Sequence, residues 1–471
     1  MIFSGNTIKL NSQFIIITAE AVYKKEMKKE IIVNKFGGGI LTKDLIPFIK
    51  KRLTEQIIKG YQSIAVVSAM PGVTDEILNF LTSVKENHNE ALIISFIKTL
   101  TKKHEDIISN IVQGKTNQEK AKAELDNLLS NLEKKLLLVK TISNETEDHL
   151  VSYGEKLSAV IFNHYLNSAN LKSQKFLAEE ISIITDDNFK NANIDYKISE
   201  KNLIAKISNI KDIIVIPGFT GITNKGEITT LGRGGTDTTA CFVGAALRAE
   251  KVILWKDVGG VLSADPKIIT KAKTIPFINY FEAEEAGKII HDKAIQYVKM
   301  FKTPIEIASI ANPKLKTKIG EIKKMQKGAK IVSIKKNLDF ILITDENIKL
   351  NDLLLITGEI FKKHKVEMTL ISNTRYSLQI VADNKNNQLD KVCEELKSKV
   401  EKVEVTNASM IFLVGWFDAK DVSNFNDLLV KQNADLLISA FYYENCYRVE
   451  AVIKTDNINK IMSAVYKKFI R

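Results

Sequence analysis

The segment TTLGRGGTDTTA, residues 229–240, combines three glycines, an arginine, an aspartate and several hydroxyls in one turn before a predicted helix. Glycines let backbone N–H groups approach an anion, and a helix N-terminus favours negative charge. Arg233 stands out in a chain with only six arginines, since a guanidinium holds a carboxylate or phosphate through two parallel hydrogen bonds. The stretch predicts an anion-binding turn, and the alternative is a purely structural loop.

Short β-branched runs surround this turn. Ile31–Val33 and Ile64–Ser68 bracket a helical stretch near Leu45–Gly60, which predicts a β-α-β unit and therefore a parallel sheet. Residues 76–150 carry a 3.6-residue period with almost no glycine, which predicts helices covering that sheet. Further strands are predicted at residues 213–216, 251–255 and 305–307. The pattern is typical of a layered α/β domain.

The character of the chain changes after a lysine-rich linker at residues 323–330. From there the predicted elements follow one order twice, strand-helix-strand-strand-helix. A repeat of this kind predicts a tandem pair of small α+β modules. The predicted domains are an extension of unclear role at 1–26, a catalytic domain at 27–325, and two modules at 331–402 and 403–471. Met27 is a candidate start, and a short ordered arm is the alternative.

Two more glycine turns follow predicted strands. Lys35 and three glycines, residues 37–39, come just after the first strand, where an ammonium and backbone donors could meet phosphate oxygens. An ordinary tight turn explains that run equally well. WKDVGGVLSADPK, residues 255–267, ends another strand with an acid-bearing glycine turn, which favours a nucleotide loop at the carboxyl end of a sheet.

Composition excludes several classes of protein. The net charge is +12, but lysines are interspersed with acids and form no basic stripe with aromatics, which argues against nucleic-acid binding. Three distant cysteines argue against a disulfide framework or a zinc cluster and fit the cytoplasm. The longest early apolar stretch is too short to cross a membrane.

Taken in order, these segments resemble the aspartate kinases of the amino acid kinase family. The resemblance rests on KFGG (35–38), SAMPGVTD (68–75), YGEKLSA (153–159), PGFTG (217–221), TTLGRGGTDTTA (229–240), KDVGGVLSADPK (256–267) and GKIIH (287–291). It covers essentially residues 31–471. It implies a layered αβα amino acid kinase domain with a mainly parallel central sheet, followed by two ferredoxin-like ACT domains.

The resemblance also implies an activity. An aspartate kinase transfers the γ-phosphoryl group of ATP, with Mg²⁺, to the side-chain carboxylate of L-aspartate, the first step towards lysine, threonine and methionine. The family pairs into homodimers through its ACT domains, where an amino-acid effector can bind. The alternatives are another amino acid kinase, or a regulatory ACT protein with weak or no catalysis.

By similarity, each chemical role falls on particular residues. The catalytic set is Lys35, Asp237 and Lys288. The aspartate-binding set is Ser68, Thr74, Glu155, Arg233 and Thr236. The ATP-binding set is Lys35, Gly37, Gly38, Lys256, Asp257, Lys267 and Lys288. No metal ligand is expected from the protein.

Several positions depart from the family pattern. Gly39-Ile40 stands where the family has Thr-Ser, Leu262 replaces a tyrosine, and Asp292 replaces a proline. In the first ACT domain, Thr369 replaces an acidic residue that would meet an effector amine, and Arg375 adds a positive charge nearby. Lysine is therefore expected to inhibit weakly or not at all, with threonine the better candidate effector.

Overall fold

The computed structural model describes residues 30–86, 89–257, 259–287, 289–322, 326–384, 387–439 and 447–470. These residues form two compact units. The first comprises the described residues of Met1–Gly260 and of Ile290–Glu321, and the second comprises Val261–Ile289 and those of Ile322–Arg471. The predicted extension 1–26 lies outside the described residues.

The first unit is built on a mainly parallel sheet, as predicted. Its strands are β1 (Ile31–Phe36), β2 (Gln62–Val67), β3 (Ser173–Lys175), β4 (Ile213–Pro217), β5 (Thr220–Ile222), β6 (Ile228–Thr230), β7 (Lys251–Lys256), β9 (Ile305–Ser309) and β10 (Lys316–Gly320). Within this unit the sheet order is β3-β4-β2-β1-β7-β9-β10. Only β10 runs antiparallel to its neighbour β9, while β5 and β6 form a separate hairpin.

All six residues of β1 are buried, because helices cover both faces of the sheet at this strand. The helices of the first unit are α1 (Ile46–Ile58), α2 (Val73–Glu86), α3 (Glu90–Ile111), α4 (Lys115–Leu138), α5 (Asn144–Val151), α6 (Tyr153–Ser168), α7 (Ala178–Ile181), α8 (Tyr196–Ile207), α9 (Gly235–Ala246) and α11 (Asp292–Met300). The predicted helices over 76–150 are confirmed. α6 packs on β2 and β4, and α3 and α4 pack against α6.

The second unit confirms the predicted repeat. Its elements are β8 (Phe277–Asn279), α10 (Tyr280–Glu285), β11 (Gly328–Thr344), α12 (Leu350–Lys363), β12 (Met368–Asn373), β13 (Ser377–Ala382), α13 (Leu389–Lys397), β14 (Lys402–Trp416), α14 (Ala419–Lys431), β15 (Asp435–Ile438), β16 (Arg448–Lys454) and α15 (Ile458–Phe469). The two copies share one antiparallel sheet of order β12-β13-β11-β14-β16-β15.

The helix predicted near Leu45–Gly60 is confirmed as α1, and the glycines after β1 lead into a 3₁₀ turn, Gly38–Ile40. Two details differ from the sequence predictions. The predicted linker at 323–330 overlaps β11, which begins at Gly328. Residues 261–289 belong to the second unit, although the predicted catalytic domain ran continuously to 325. These differences arise from long-range packing, which local sequence patterns do not encode.

Candidate active site

The candidate site lies where four neighbouring parallel strands end. Lys35 is near the end of β1, Ser68 follows β2, Gly218 follows β4, and Lys256 ends β7. Carboxyl ends of parallel strands meet at one edge of a sheet, where ligands of open α/β folds bind. A cavity of about 540 Å³ opens here. Seven of the predicted site residues line it, namely Lys35, Ser68, Thr74, Glu155, Arg233, Thr236 and Asp237.

Asp237 joins two lysines at this edge. The Lys35 ammonium lies 2.7 Å from Asp237 Oδ1, and the Lys256 ammonium lies 3.9 Å from Oδ2. Burial alone would raise the pKa of Asp237, but Lys35 and then Lys256 outweigh it and hold that pKa below its ordinary value. The carboxylate is therefore ionised and holds two positive charges beside the cavity, as a phosphate-binding site requires.

Gly37 and Gly38 follow the first of these lysines. A Cβ on Gly37 would lie 3.1 Å from Lys35 Nζ, and one on Gly38 would lie 2.8 Å from the carbonyl oxygen of Ala69. The chain therefore needs glycine at Gly38 for close packing, and a side chain at Gly37 would crowd the ammonium. Gly37 is followed by a 3₁₀ turn, Gly38–Ile40, and not directly by an α-helix.

Arg233 is carried on a loop between two glycines with left-handed backbone conformations. Gly232 has a φ of 76° and Gly234 a φ of 74°. A Cβ on Gly232 would lie 2.8 Å from Asn191 Oδ1, and one on Gly234 would lie 2.7 Å from His291 Cβ. The Arg233 guanidinium lines the cavity and has no ion pair with any carboxylate that the structure describes. It is therefore available to an anionic ligand.

Glu155 supplies a buried carboxyl group in the first turn of α6. Only 2% of the residue is exposed, and Oε1 accepts a hydrogen bond from the backbone N–H of Ala69 at 3.3 Å. Oε2 is buried without a hydrogen-bond partner in the described part of the chain. Burial raises the pKa of Glu155 to about 8, although the Ala69 bond opposes the shift. An unpartnered carboxyl oxygen in a cavity wall is suited to receive a cationic group of a ligand.

Hydroxyl groups complete the cavity wall. The Thr236 hydroxyl donates to Ser68 Oγ at 3.3 Å, which connects α9 to the end of β2. Gly218 permits this contact, because a Cβ there would lie 2.5 Å from Thr236 Cγ2. Thr74 lines the cavity from the first turn of α2. The cavity thus presents both charge signs and neutral donors, which fits a zwitterionic substrate beside phosphates.

Comparison with known proteins shows the family of this chain. Residues 30–309 match the amino acid kinase family. The aspartokinase of Rickettsia bellii (strain RML369-C) is 30% identical over 331 residues, which are 68% of this chain and 68% of that protein. Aspartokinase 1, chloroplastic, of Arabidopsis thaliana is 29% identical over 84% of this chain and 72% of its own length. The chain belongs to the aspartokinases of the amino acid kinase family.

Solved structures share this fold. Aspartokinase III of E. coli in complex with aspartate and ADP superposes with a TM-score of 0.75 at 22% identity, covering 93% of this chain and 99% of that one. Aspartate kinase of Clostridium acetobutylicum gives 0.74 at 24% identity, covering 93% and 100%. The predicted fold class is therefore confirmed over both units of this aspartokinase.

Four of the predicted nucleotide residues belong to the first unit but do not line the cavity, namely Gly37, Gly38, Lys256 and Asp257, the last of which directly follows β7. Lys267 belongs to the second unit, where its backbone N–H donates to Asp265 Oδ1 at 2.9 Å. Lys288 lies outside the described residues. Their roles in this family member stay predictions.

One carboxylate that holds the arginine loop was not predicted from the sequence. Asp148 in α5 accepts hydrogen bonds from the backbone N–H groups of Lys190 at 2.8 Å and Thr230 at 2.7 Å, and from the Thr230 hydroxyl at 2.8 Å. Glu147 binds the side chain of Lys190 at 2.6 Å. Asp148 and Glu155 lie on successive helices, α5 and α6, so no spacing within one helix relates them.

Proposed function

We propose that this aspartokinase transfers the γ-phosphoryl group of ATP to the side-chain carboxylate of L-aspartate, with Lys35 and Asp237 at the reacting centre. The observation that carries the proposal is the buried Asp237 carboxylate holding Lys35 and Lys256 beside a cavity that also contains Glu155 and Arg233. The family membership supports the same reaction.

The reaction requires little covalent chemistry from the protein. The aspartate side chain is already ionised at neutral pH, so it attacks the γ-phosphorus without a general base. The new bond joins a carboxylate oxygen to phosphorus, the bond from phosphorus to the bridging oxygen breaks, and ADP leaves. Catalysis then rests on positioning and on neutralising charge, which the ammonium groups of Lys35 and Lys256 would supply.

Mg²⁺ would enter as part of the MgATP substrate. Among the residues that the structure describes, no three His, Cys, Asp or Glu side chains converge as a metal site would need. The Asp237 carboxylate is already engaged by two lysines. The protein's part is therefore to hold the phosphates, with Gly37, Gly38 and Lys35 as the proposed donors.

Aspartate would be recognised by complementary charges at its α-carbon. We assign its ammonium to Glu155, whose Oε2 has no partner in the described chain, and its α-carboxylate to Arg233. Ser68, Thr74 and Thr236 would donate or accept hydrogen bonds around the substrate. Lys256, Asp257, Lys267 and Lys288 remain the proposed nucleotide-side residues.

The reaction can be tested by trapping the product. With MgATP, L-aspartate and hydroxylamine, the purified protein should form aspartyl hydroxamate in step with ADP release, because hydroxylamine captures an acyl phosphate. D-aspartate, L-asparagine and L-glutamate serve as matched acceptors that differ in chirality, charge or length. ADP release that depends on glutamate would contradict the substrate, and no turnover with any acceptor would favour a regulatory protein.

A second prediction follows from the buried carboxyl of Glu155. Its pKa of about 8 leaves it protonated at pH 7 in the free protein, and an aspartate ammonium placed against it would favour the ionised form. Aspartate binding at pH 7 should therefore release about one proton. Calorimetry in two buffers of different ionisation enthalpy measures this number, and Glu155→Gln should reduce it to about zero.

The raised pKa of Glu155 also makes the free energy of unfolding depend on pH. The folded protein keeps the Glu155 proton up to about pH 8, whereas the unfolded chain loses it near the ordinary pKa of 4.5. The free energy of unfolding of the free protein should fall as the pH rises through this window, and the Gln variant should lack that part of the fall. In the calorimetry, aspartate that binds with a measurable affinity and with a heat that does not depend on the buffer would contradict the assignment of its ammonium to Glu155.

Regulation is proposed for the second unit. An amino-acid effector would bind its antiparallel sheet, and two copies of the chain would pair through this unit. Thr369 in β12 is uncharged, and the Arg375 guanidinium lies over the Tyr376 ring at 5.2 Å. A positive charge near the effector site opposes the binding of an ammonium group, and it opposes lysine in particular because lysine carries two of them. E. coli aspartokinase III has been solved with lysine and aspartate, but weak lysine inhibition is proposed for this chain.

The proposed location is the cytoplasm, from the scattered cysteines. Cys241 and Cys393 are buried free thiols. None of the helices in the described ranges is long and apolar enough to cross a membrane.

A further inference from the structure

A second cavity of the first unit, of about 390 Å³, plays no part in the proposed reaction. It lies between α1 and the face of β1, β7 and β9 that α1 covers, and its apolar wall includes Ile32, Ile253 and Trp255. Side chains alternate along a strand, so Asn34 and Trp255 point to this face while Lys35 and Lys256 point to Asp237 on the other. We refer to it as the α1-face cavity.

The α1-face cavity is lined by five basic and two acidic side chains, an excess of three positive charges. The basic ones are Arg52, Lys59, Lys251, Lys314 and Lys316, and the acidic ones are Glu55 and Glu306. Half of the fourteen lining residues are charged, so a ligand of this cavity would be recognised mainly by its charge and would rest any apolar part against the remaining wall.

The negative charges of this cavity are already neutralised. Arg52 pairs with Glu55 at 2.9 Å, and its Nε donates to the Ile310 carbonyl at 3.1 Å. Glu306 is held by Lys316 at 3.0 Å and Lys251 at 3.3 Å. Burial would raise the pKa of Glu306, but the two lysines outweigh it and lower that pKa.

Two further ammonium groups have no such partner. Lys59 at the end of α1 and Lys314 before β10 form no ion pair with any carboxylate in the parts of the chain that the structure describes. Tyr61, Pro313 and Trp255 also line the cavity. An anion bound by the two lysines could therefore rest an apolar body against these rings.

A buried hydrogen-bond network in the wall of this cavity includes the residues that precede Lys35 and Lys256 in the sequence. The Trp255 indole N–H donates to Asn34 Oδ1 at 2.9 Å, and Asn34 and Gln56 exchange two amide hydrogen bonds at 2.9 and 2.8 Å. The next residue after Asn34 is Lys35, and the next after Trp255 is Lys256. A ligand that shifts this buried network would displace the two residues that hold Asp237.

We propose that the α1-face cavity binds a small organic anion with an apolar body, and that its occupancy alters phosphoryl transfer through β1 and β7. The proposed binding depends only on the cavity itself. The proposed effect on phosphoryl transfer, the regulatory half of the proposal, rests on the proposed function. The ligand meets Lys59 and Lys314 with its charge and Tyr61, Pro313 and Trp255 with its body.

Binding is tested with anilinonaphthalene sulfonate, an anionic aromatic probe. Trp416→Phe leaves Trp255 as the single tryptophan of the chain, so energy transfer to the probe reports this cavity. The titration is run with saturating MgADP and aspartate, which occupy the catalytic cavity. The pair Lys59→Glu and Lys314→Glu should raise the probe's Kd at least about tenfold.

The matched control reverses two exposed lysines of the first unit outside the cavity, Lys51→Glu in α1 and Lys172→Glu before β3. It changes the net charge equally and should leave Kd within about twofold. An equal loss in both pairs would mean that the probe senses only overall charge. The proposed binding site is overturned if no energy transfer from Trp255 to the probe is observed. It is also overturned if MgADP and aspartate abolish the energy transfer and the Lys59→Glu and Lys314→Glu pair has no effect on Kd.

The proposed effect on phosphoryl transfer is tested by steady-state kinetics at several probe concentrations. The Trp416→Phe enzyme should change kcat or the KM for ATP by about twofold or more as the cavity fills, and the cavity pair should show basal kinetics unaffected by probe. Binding with no change in kcat or either KM overturns the coupling. A protein that binds the probe but phosphorylates no acceptor contradicts the proposed function and leaves the binding site standing.

Discussion

Replacing Asp237 by asparagine is expected to lower kcat by about 100-fold, with a much smaller change in the KM for aspartate. Asparagine keeps the shape of the side chain but removes the charge that holds Lys35 at 2.7 Å and Lys256 at 3.9 Å. The two ammonium groups would then repel each other and take up hydration. Their role lies in neutralising charge that grows during transfer, so the loss appears in kcat.

The same substitution leaves Lys35, whose side chain is 10% exposed, without its counterion. Removing one partner of a buried ion pair costs about 3–5 kcal/mol, so thermal unfolding of the variant has to be measured alongside its kinetics. Asp126→Asn, an exposed carboxylate in α4, is the matched control and should change neither stability nor kcat. An unchanged kcat in folded Asp237→Asn protein would remove Asp237 from the catalytic set.

The turn before α9 and the helix that follows it could be predicted because their cause is local. Glycine allows the left-handed backbone that the structure has at Gly232 and Gly234, and the predicted helix begins at Gly235. The strands β1, β2, β4 and β7 were also predicted, since fully buried parallel strands appear as short apolar runs. The meeting of Lys35, Ser68, Arg233 and Asp237 then follows from the parallel topology.

Other features depend on contacts between distant residues. The two C-terminal repeats were expected as separate modules, yet β11 and β14 pair along most of their length, from Gly328 with Trp416 to Thr344 with Lys402. Strand pairing over such separations is not specified by the period of either strand. The position of residues 261–289 in the second unit has the same origin, because Ala264 and Ile269 pack in its core.

Asp148 illustrates a functional group that sequence patterns conceal. An isolated aspartate in a helix is ordinarily a solvated residue, whereas Asp148 is 3% exposed and accepts three hydrogen bonds from the segments on either side of the cavity. Its bonds to Thr230 fix the strand that leads to Arg233. The sequence predicted the arginine but not the carboxylate that fixes its loop.

Replacing Arg233 by lysine is expected to raise the KM for aspartate by about 30-fold, with the KM for ATP little changed. Lysine keeps the positive charge but presents one ammonium in place of a planar fork, so one charge-assisted hydrogen bond to the α-carboxylate is lost, worth about 2 kcal/mol. Steady-state kinetics with each substrate varied in turn measures both constants.

Two features make this substitution informative. Arg233 is exposed and has no ion pair in the described chain, so its replacement should leave thermal stability unchanged, unlike that of Asp237. Arg52→Lys is the matched control, because Arg52 lies in the α1-face cavity, where its guanidinium bonds Glu55 and the Ile310 and Ala311 carbonyls. That variant should lose stability but keep the KM for aspartate. Equal rises in both KM values of Arg233→Lys would instead mean that Arg233 serves the nucleotide or the fold rather than the α-carboxylate of aspartate.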